Sequence, residues 1–259
     1  MSVPNFSNKR KGKPILTPEH MLAYRQNSGM LPKGIGPEAV VLCLQKGLPE
    51  RLKRRHPFRI LGKLNGDVLL LNKTNNKVMV LANFGLGSPL MAAVTEELIA
   101  WGAQRLISVS MSGAIQEQLN TGDIVVCDRA LRDEGTSHHY LPAGDFINAD
   151  PDLVSRLVGN LQAKSLAPHV GATWTTDAAY RETDLEVEHY QKQGIQTVDM
   201  ESAALFTVAK VHGKQAATIF VIGDSLADLT WKGPQDLARI ERSLEAAYDA
   251  AIETLSGAK

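Results

Sequence analysis

The sequence predicts an α/β fold, three layers built on a mixed sheet that curls toward a barrel. Three observations carry that expectation. From residue 85 onward, short apolar runs alternate with stretches of helical periodicity. Before that point, residues 59–64, 68–71 and 77–82 read as consecutive strands, with Gly66-Asp67 and Asn75-Asn76 as turns, a meander of hairpins. No linker, repeat or low-complexity stretch divides the 259 residues, so residues 15–259 are expected as one domain behind a flexible N-terminal arm, residues 1–14.

The elements follow in order. The arm is polar and basic (Lys9, Arg10, Lys11, Lys13) and lacks the apolar segment of a secretory signal. Thr17 ahead of Pro18 caps a short helix over 17–25. Residues 39–44 form an apolar strand that ends in the turn Lys46-Gly47-Leu48-Pro49, and a short charged helix follows at 52–55. Gly85-x-Gly87 introduces a helix over 90–101, with Met91, Val94, Leu98 and Trp101 on one face. Residues 106–109 are a buried strand, and the small residues Ser110, Ser112, Gly113 and Ala114 read as the turn after it. Strands at 123–128, 169–174, 197–199 and 216–222 then alternate with helices at 153–164, 184–193, 202–212 and 234–255.

Composition excludes several classes. Lys+Arg and Asp+Glu are both 28, so the chain has no bulk attraction for nucleic acid or anionic lipid. A hydrophobic content of 44% excludes global disorder, and no apolar run reaches the length of a membrane span. Cys43 and Cys127 form neither a disulfide framework nor a metal motif. Both sit in apolar runs as small hydrophobes, which fits a reducing cytoplasm.

In an α/β sheet, ligands bind beyond the carboxyl ends of the strands. The residues there are 47–51, 85–89, 110–113, 174–177, 199–201 and 223–228. They supply backbone N–H groups, one cation and several carboxylates, with no metal-ligand cluster and no Ser-His-Asp arrangement. Gly85-x-Gly87 is either a tight turn or an anion nest at a helix start. Ser110-Met111-Ser112-Gly113 is a second candidate nest or a close-packing turn. Glu201 is either a capping residue or an acceptor for two adjacent sugar hydroxyls, since two carboxylate oxygens match a cis-diol. Asp224, after the apolar run 216–222, is either a cap or a general acid for a departing base. His138-His139 reads first as loop packing, and Trp231 as a lid aromatic or a helix-packing residue.

Several segments in this order carry a resemblance. They are Ser112-Gly113-Ala114-Ile115-Gln116 with Thr121-Gly122-Asp123-Ile124-Val125, then Arg132-Asp133-Glu134-Gly135-Thr136-Ser137, then Val198-Asp199-Met200-Glu201-Ser202-Ala203-Ala204, then Gly223-Asp224. Over residues 38–255 the chain resembles the nucleoside phosphorylase family of hexameric purine nucleoside phosphorylases, uridine phosphorylases and methylthioadenosine nucleosidases. The resemblance implies a three-layer α/β/α sandwich around a mixed, partly barrelled sheet. It implies cleavage of an N-glycosidic bond, with phosphate as co-substrate, no cofactor and no metal. It also implies a homo-oligomer, dimer or hexamer, acting on a small nucleoside. Carried over by position, Met200 and Glu201 would bind ribose, and Asp224 would protonate a purine. Gly47 and Arg51, with Ser112, would bind phosphate, and Asp177, Ala179 and Tyr180 would line the base pocket.

The chain also departs from the family pattern. Ser108 stands where the phosphorylases carry a second phosphate arginine, and Met111 replaces a usual phosphate hydroxyl. Thr183 and Leu185 stand where the uridine branch reads the pyrimidine edge, and Asp224 favours a purine leaving group. Ala179 takes the place of the stacking aromatic, with Tyr180 or Trp174 as substitutes. Phosphorolysis is the expected reaction. Hydrolysis with Glu50 activating water is the alternative, and a non-catalytic nucleoside-binding protein a third reading. Arg59 of a neighbouring subunit is a candidate for the missing cation.

Overall fold

Five strands of the sheet close on themselves, and a second set fans out from one of them. The computed structural model describes residues 4–6, 8–75 and 77–257. In chain order it runs α1 (Pro18–Asn27), β1 (Ala39–Cys43), α2 (Leu48–Arg51), β2 (Phe58–Lys63), β3 (Asp67–Leu71) and β4 (Val78–Ala82). Then come α3 (Ser88–Ala100), β5 (Arg105–Ala114), β6 (Ile124–Asp133), β7 (Phe146–Asn148), α4 (Pro151–Gln162) and β8 (His169–Thr176). The chain ends with α5 (Asp184–Lys192), β9 (Thr197–Asp199), α6 (Ser202–Val211), β10 (Gln215–Ser225) and α7 (Leu237–Ser256).

The sheet order is β10-β6-β8-β9-β5-β1-β4-β3-β2, and β10 also pairs with β5. That last pairing closes β5, β10, β6, β8 and β9 into a barrel, while β1 to β4 continue as an open sheet. The meander of β2, β3 and β4 is antiparallel, as the turn signals predict, and β1 joins it parallel to β4.

The pivotal strand is β5. Its first half, Arg105 to Val109, pairs with β1, and its end, Gly113 and Ala114, pairs antiparallel with β9. On its other edge it pairs with β10 along its whole length. Between Val109 and Gly113 the neighbours β1 and β9 part, and residues 110–112 face a gap. This is the split at which α/β sheets bind ligands.

Both faces of the sheet are covered, which is why its central strands read as unbroken apolar runs. Side chains alternate along a strand. Leu42, Leu106 and Phe220 pack against α3 and α6 through Met91, Val94, Leu98, Leu205 and Phe206. Val41, Val109, Ile219 and Val221 pack against α4 and α7 through Leu153, Leu157, Leu244 and Tyr248.

The structure corrects several expectations. The stretch 110–114 is strand, because pairing with β10 and β9 continues through it. The short helix begins at Leu48 instead of 52, since Gly47 at φ +72° reverses the chain and Pro49 fits the first turn. Strand β7 has no apolar periodicity of its own and exists by pairing with β6. Helix α7 begins at Leu237, after Asp236 accepts from the Arg239 N–H at 2.9 Å. From the arm, Lys9 Nζ lies 2.7 Å from His139 Nδ1, and Arg10 donates to the His138 carbonyl at 3.0 Å. Residues 1–3 and 7 of the arm, and Asn76 of the expected Asn75-Asn76 turn, lie outside the described residues. Among the described residues no helix is long and apolar enough to cross a membrane.

Candidate active site

Several loops follow the strand ends around residues 110–112. The loop after β1 brings Gly47 and Arg51. The loop after β4 brings Gly85 and Gly87, and the end of β9 brings Met200 and Glu201. On the opposite edge of β5, Asp224 of β10 is the register partner of Gly113, whose other partner is Val198 of β9. Two strand spacings, about 10 Å, therefore separate the two edges. The ladder shifts by one residue between Ile222 and Asp224, a bulge that re-aims the Asp224 side chain. Gly113 must be glycine for this arrangement. A Cβ there would meet Val198 Cγ1 at 3.0 Å and Asp224 Oδ1 at 3.3 Å.

Glu201 sits where two helix starts converge. Its Oε1 accepts from the Gly87 N–H at 2.7 Å, and the Ser88 hydroxyl donates to the Met200 carbonyl at 2.8 Å. The anion at the start of α3 is thus the protein's own carboxylate, so Gly85-x-Gly87 is a nest for Glu201. Asp199 anchors the same turn: it accepts from the Glu201 and Ser202 N–H groups and from the Thr175 hydroxyl, at 3.1, 2.8 and 2.7 Å. Burial raises the Asp199 carboxyl despite these bonds. Burial, then the charge of Asp199, push Glu201 up to about 7.

Asp224 is half-buried, and its Oδ2 accepts from the Trp231 indole N–H at 2.7 Å. A second carboxyl group lies near enough to feel its charge. Burial, then the charges of Asp224 and Glu186, push Glu182 up to about 7.

The expected phosphate residues are not all brought together. Arg51 is exposed and pairs loosely with Glu241 of α7 at 3.4 Å. Ser112 lies on the strand face it shares with Ser108 and Ser110, toward α3 and α6, while Met111 faces the α7 side. The period of two therefore puts Ser112 and Arg51 on opposite faces of β5. The Ser112 hydroxyl is buried with no hydrogen-bond partner among the described residues. Ser108 is 2% exposed, flanked in register by Leu42 and Thr218, so no cation faces the gap from that position.

The base-pocket residues stand open. Asp177 accepts from the Gly135 N–H at 2.7 Å, and Ala179 and Tyr180 lie in an exposed turn with Tyr180 fully in solvent. Trp174 is excluded as a stacking residue: it is buried, donates to Asp133 at 2.8 Å and packs on Tyr190. The Arg132–Ser137 motif builds a loop. Arg132 binds the Pro142 carbonyl and the Ser137 hydroxyl, Glu134 accepts from the Ser137 N–H, and His138 binds back to Arg132. Two contacts escape sequence reasoning, Gly87 with Glu201 and Trp231 with Asp224. The first spans 114 residues, and neither has a spacing signal.

A five-stranded barrel with an open sheet fanning out from its central strand is the architecture of a nucleoside-phosphorylase-like class. The family model described as the phosphorylase superfamily matches residues 43–256, and the chain belongs to that family. The chain is 30% identical over 155 residues to a guanosine phosphorylase of Halorubrum lacusprofundi, covering 60% of this chain and 64% of that one. It thus spans a little under two thirds of that relative's length. It is 27% identical over 196 residues to a uridine phosphorylase of Haemophilus influenzae, covering 70% and 77%. Among solved structures, a uridine phosphorylase of Vibrio fischeri superposes with a TM-score of 0.72 at 26% identity, covering 87% of this chain and 93% of that one. The fold is the nucleoside phosphorylase fold.

Proposed function

We propose that this protein is a pentosyltransferase that cleaves the N-glycosidic bond of a purine nucleoside with phosphate, giving free base and sugar 1-phosphate. The observation that carries this reading is the placement of Asp224 and the β9 end that leads to Glu201 on the two edges of Gly113. The relatives named guanosine, uridine and purine nucleoside phosphorylase support the reaction class. The carboxyl acid beside the base favours a purine, whose N7 accepts a proton.

In this reading Glu201 and Met200 hold the sugar, with the Glu201 carboxylate accepting from the diol. The C1′–N9 bond breaks as its electron pair moves into the base, and Asp224 delivers a proton to N7. A phosphate oxygen forms the new bond to C1′ from the opposite face. Phosphate meets the Gly47 loop and Arg51, and its second cation comes from a neighbouring subunit, with Arg59, exposed on β2, as the donor.

The test is a panel of nucleosides incubated with and without phosphate. Cleavage should require phosphate and give sugar 1-phosphate, Arg51→Ala should remove most of the phosphate effect, and Asp224→Asn should lower kcat about 10²- to 10⁴-fold. Equal rates without phosphate, with free sugar as product, surviving Arg51→Ala but lost in Glu50→Gln, would assign the protein to the hydrolases.

A further inference from the structure

Trp231 is unusual for a large aromatic. It is 68% exposed, and its hydrogen bond runs to the proposed acid. Its place is fixed by a closed loop. Ser225 and Lys232 exchange backbone hydrogen bonds at 2.9 and 2.8 Å, pinching residues 226–231 into a hairpin. The hairpin is tied to the barrel at two further points. The Leu226 N–H donates to the Ala114 carbonyl at 2.8 Å, and the Gln191 amide donates to both the Ile115 and Ala227 carbonyls at 2.7 Å. Asp228 pairs with Lys232 and accepts from the Thr230 hydroxyl, and Leu229 takes a left-handed φ of +62° to close the tip. Gly233 leaves room for the ring, since a Cβ there would stand 2.9 Å from Trp231 Cη2. Many contacts thus hold one exposed indole in one place.

We propose that Trp231 is a positioning residue for the glycosidic cleavage step, orienting Asp224 through its indole N–H. This rests on the reading of Asp224 as the acid. An indole N–H donates and cannot accept, so it commits to Oδ2 and never competes for the proton. The other oxygen, Oδ1, stays on the Gly113 side for the base. When the proton passes from Oδ1 to N7 and the C1′–N9 electron pair enters the ring system, a carboxylate remains. The N–H then strengthens as a charge-assisted bond, so its stabilisation grows along the reaction coordinate. Glu182 lies near enough to feel the charge of Asp224. Trp231 adds a fixed dipole to that pair without adding a titrating group.

The experiment compares guanosine with 7-methylguanosine, whose N7 already carries the methyl group and the positive charge and needs no proton. Trp231→Phe keeps the ring and removes the N–H. Its kcat on guanosine should fall about 10- to 100-fold, with KM moving less than about 3-fold, while on 7-methylguanosine kcat should fall less than about 3-fold. Trp231→His, which restores an N–H, should recover part of the guanosine rate. Asp224→Asn separates the two hypotheses. If it cleaves guanosine as fast as the wild type, the acid assignment itself fails. If it is slow and Trp231→Phe is not, the positioning role fails while the acid stands. Equal losses on both nucleosides in Trp231→Phe would reduce Trp231 to a structural residue and overturn the proposal.

Discussion

In the proposed function, sugar binding depends on the protonation state of Glu201. Its acceptor role needs the carboxylate, yet burial and the nearby Asp199 push it from 4.5 up to about 7. The two consequences have opposite signs. A carboxyl raised on folding favours the native state below its unfolded value, and that contribution is lost as pH rises through about 7. Sugar binding improves over the same interval as the carboxylate forms. The melting temperature should therefore fall between pH 5 and pH 8, while KM for nucleoside falls too. Glu201→Gln should flatten the melting profile and raise KM at least 10-fold at pH 8. A melting profile with the same slope in the variant would show that Asp199 alone carries the titration.

Two helix starts, α3 and α6, converge on Glu201, and the end of β5 separates it from Asp224. Stability at this scale comes from elements remote from the chemistry as well. Asp150 caps α4, with its Oδ1 accepting from the Asp152 and Leu153 N–H groups at 3.1 and 3.0 Å. Asp150→Ala should cost about 1 kcal/mol of unfolding free energy, read by denaturant titration. It should leave kcat/KM unaltered, because α4 packs on the α7 side and touches no residue of the gap. Most elements were legible in the sequence to within a few residues, since their apolar spacing is local. The end of β5 was not. Ser110, Ser112 and Gly113 have the composition of a turn, and only pairing to β9 and β10 makes them strand.

For the whole molecule, the accessible surface is 12355 Å², about a tenth above the ~11,000 Å² expected of a monomer of this mass. Ile15, Ile60, Tyr180 and Leu185 lie two-thirds or more exposed on it. Together with the buried Ser108 at the place of the second phosphate cation, this predicts an oligomer whose neighbour completes the phosphate site. Light scattering at micromolar concentration should give a mass at least twice 28.1 kDa. Arg59→Ala should raise the phosphate KM several-fold without dissociating the oligomer. A monodisperse, active monomer would refute both.

The sequence by itself determined the layers, the order of strands and helices and the family, because hydrophobic period and turn chemistry are properties of neighbouring residues. It also determined that Asp224 and Glu201 lie at the carboxyl ends of buried apolar runs, the place where α/β sheets put ligands. Only the tertiary structure decided which groups these carboxylates meet. Gly87 reaches Glu201 across 114 residues, and Trp231 reaches Asp224 because a hairpin tied to the barrel holds it there. It also decided that Ser112 turns away from Arg51, since the direction of a side chain is set by strand register, and register is fixed by partners distant in sequence.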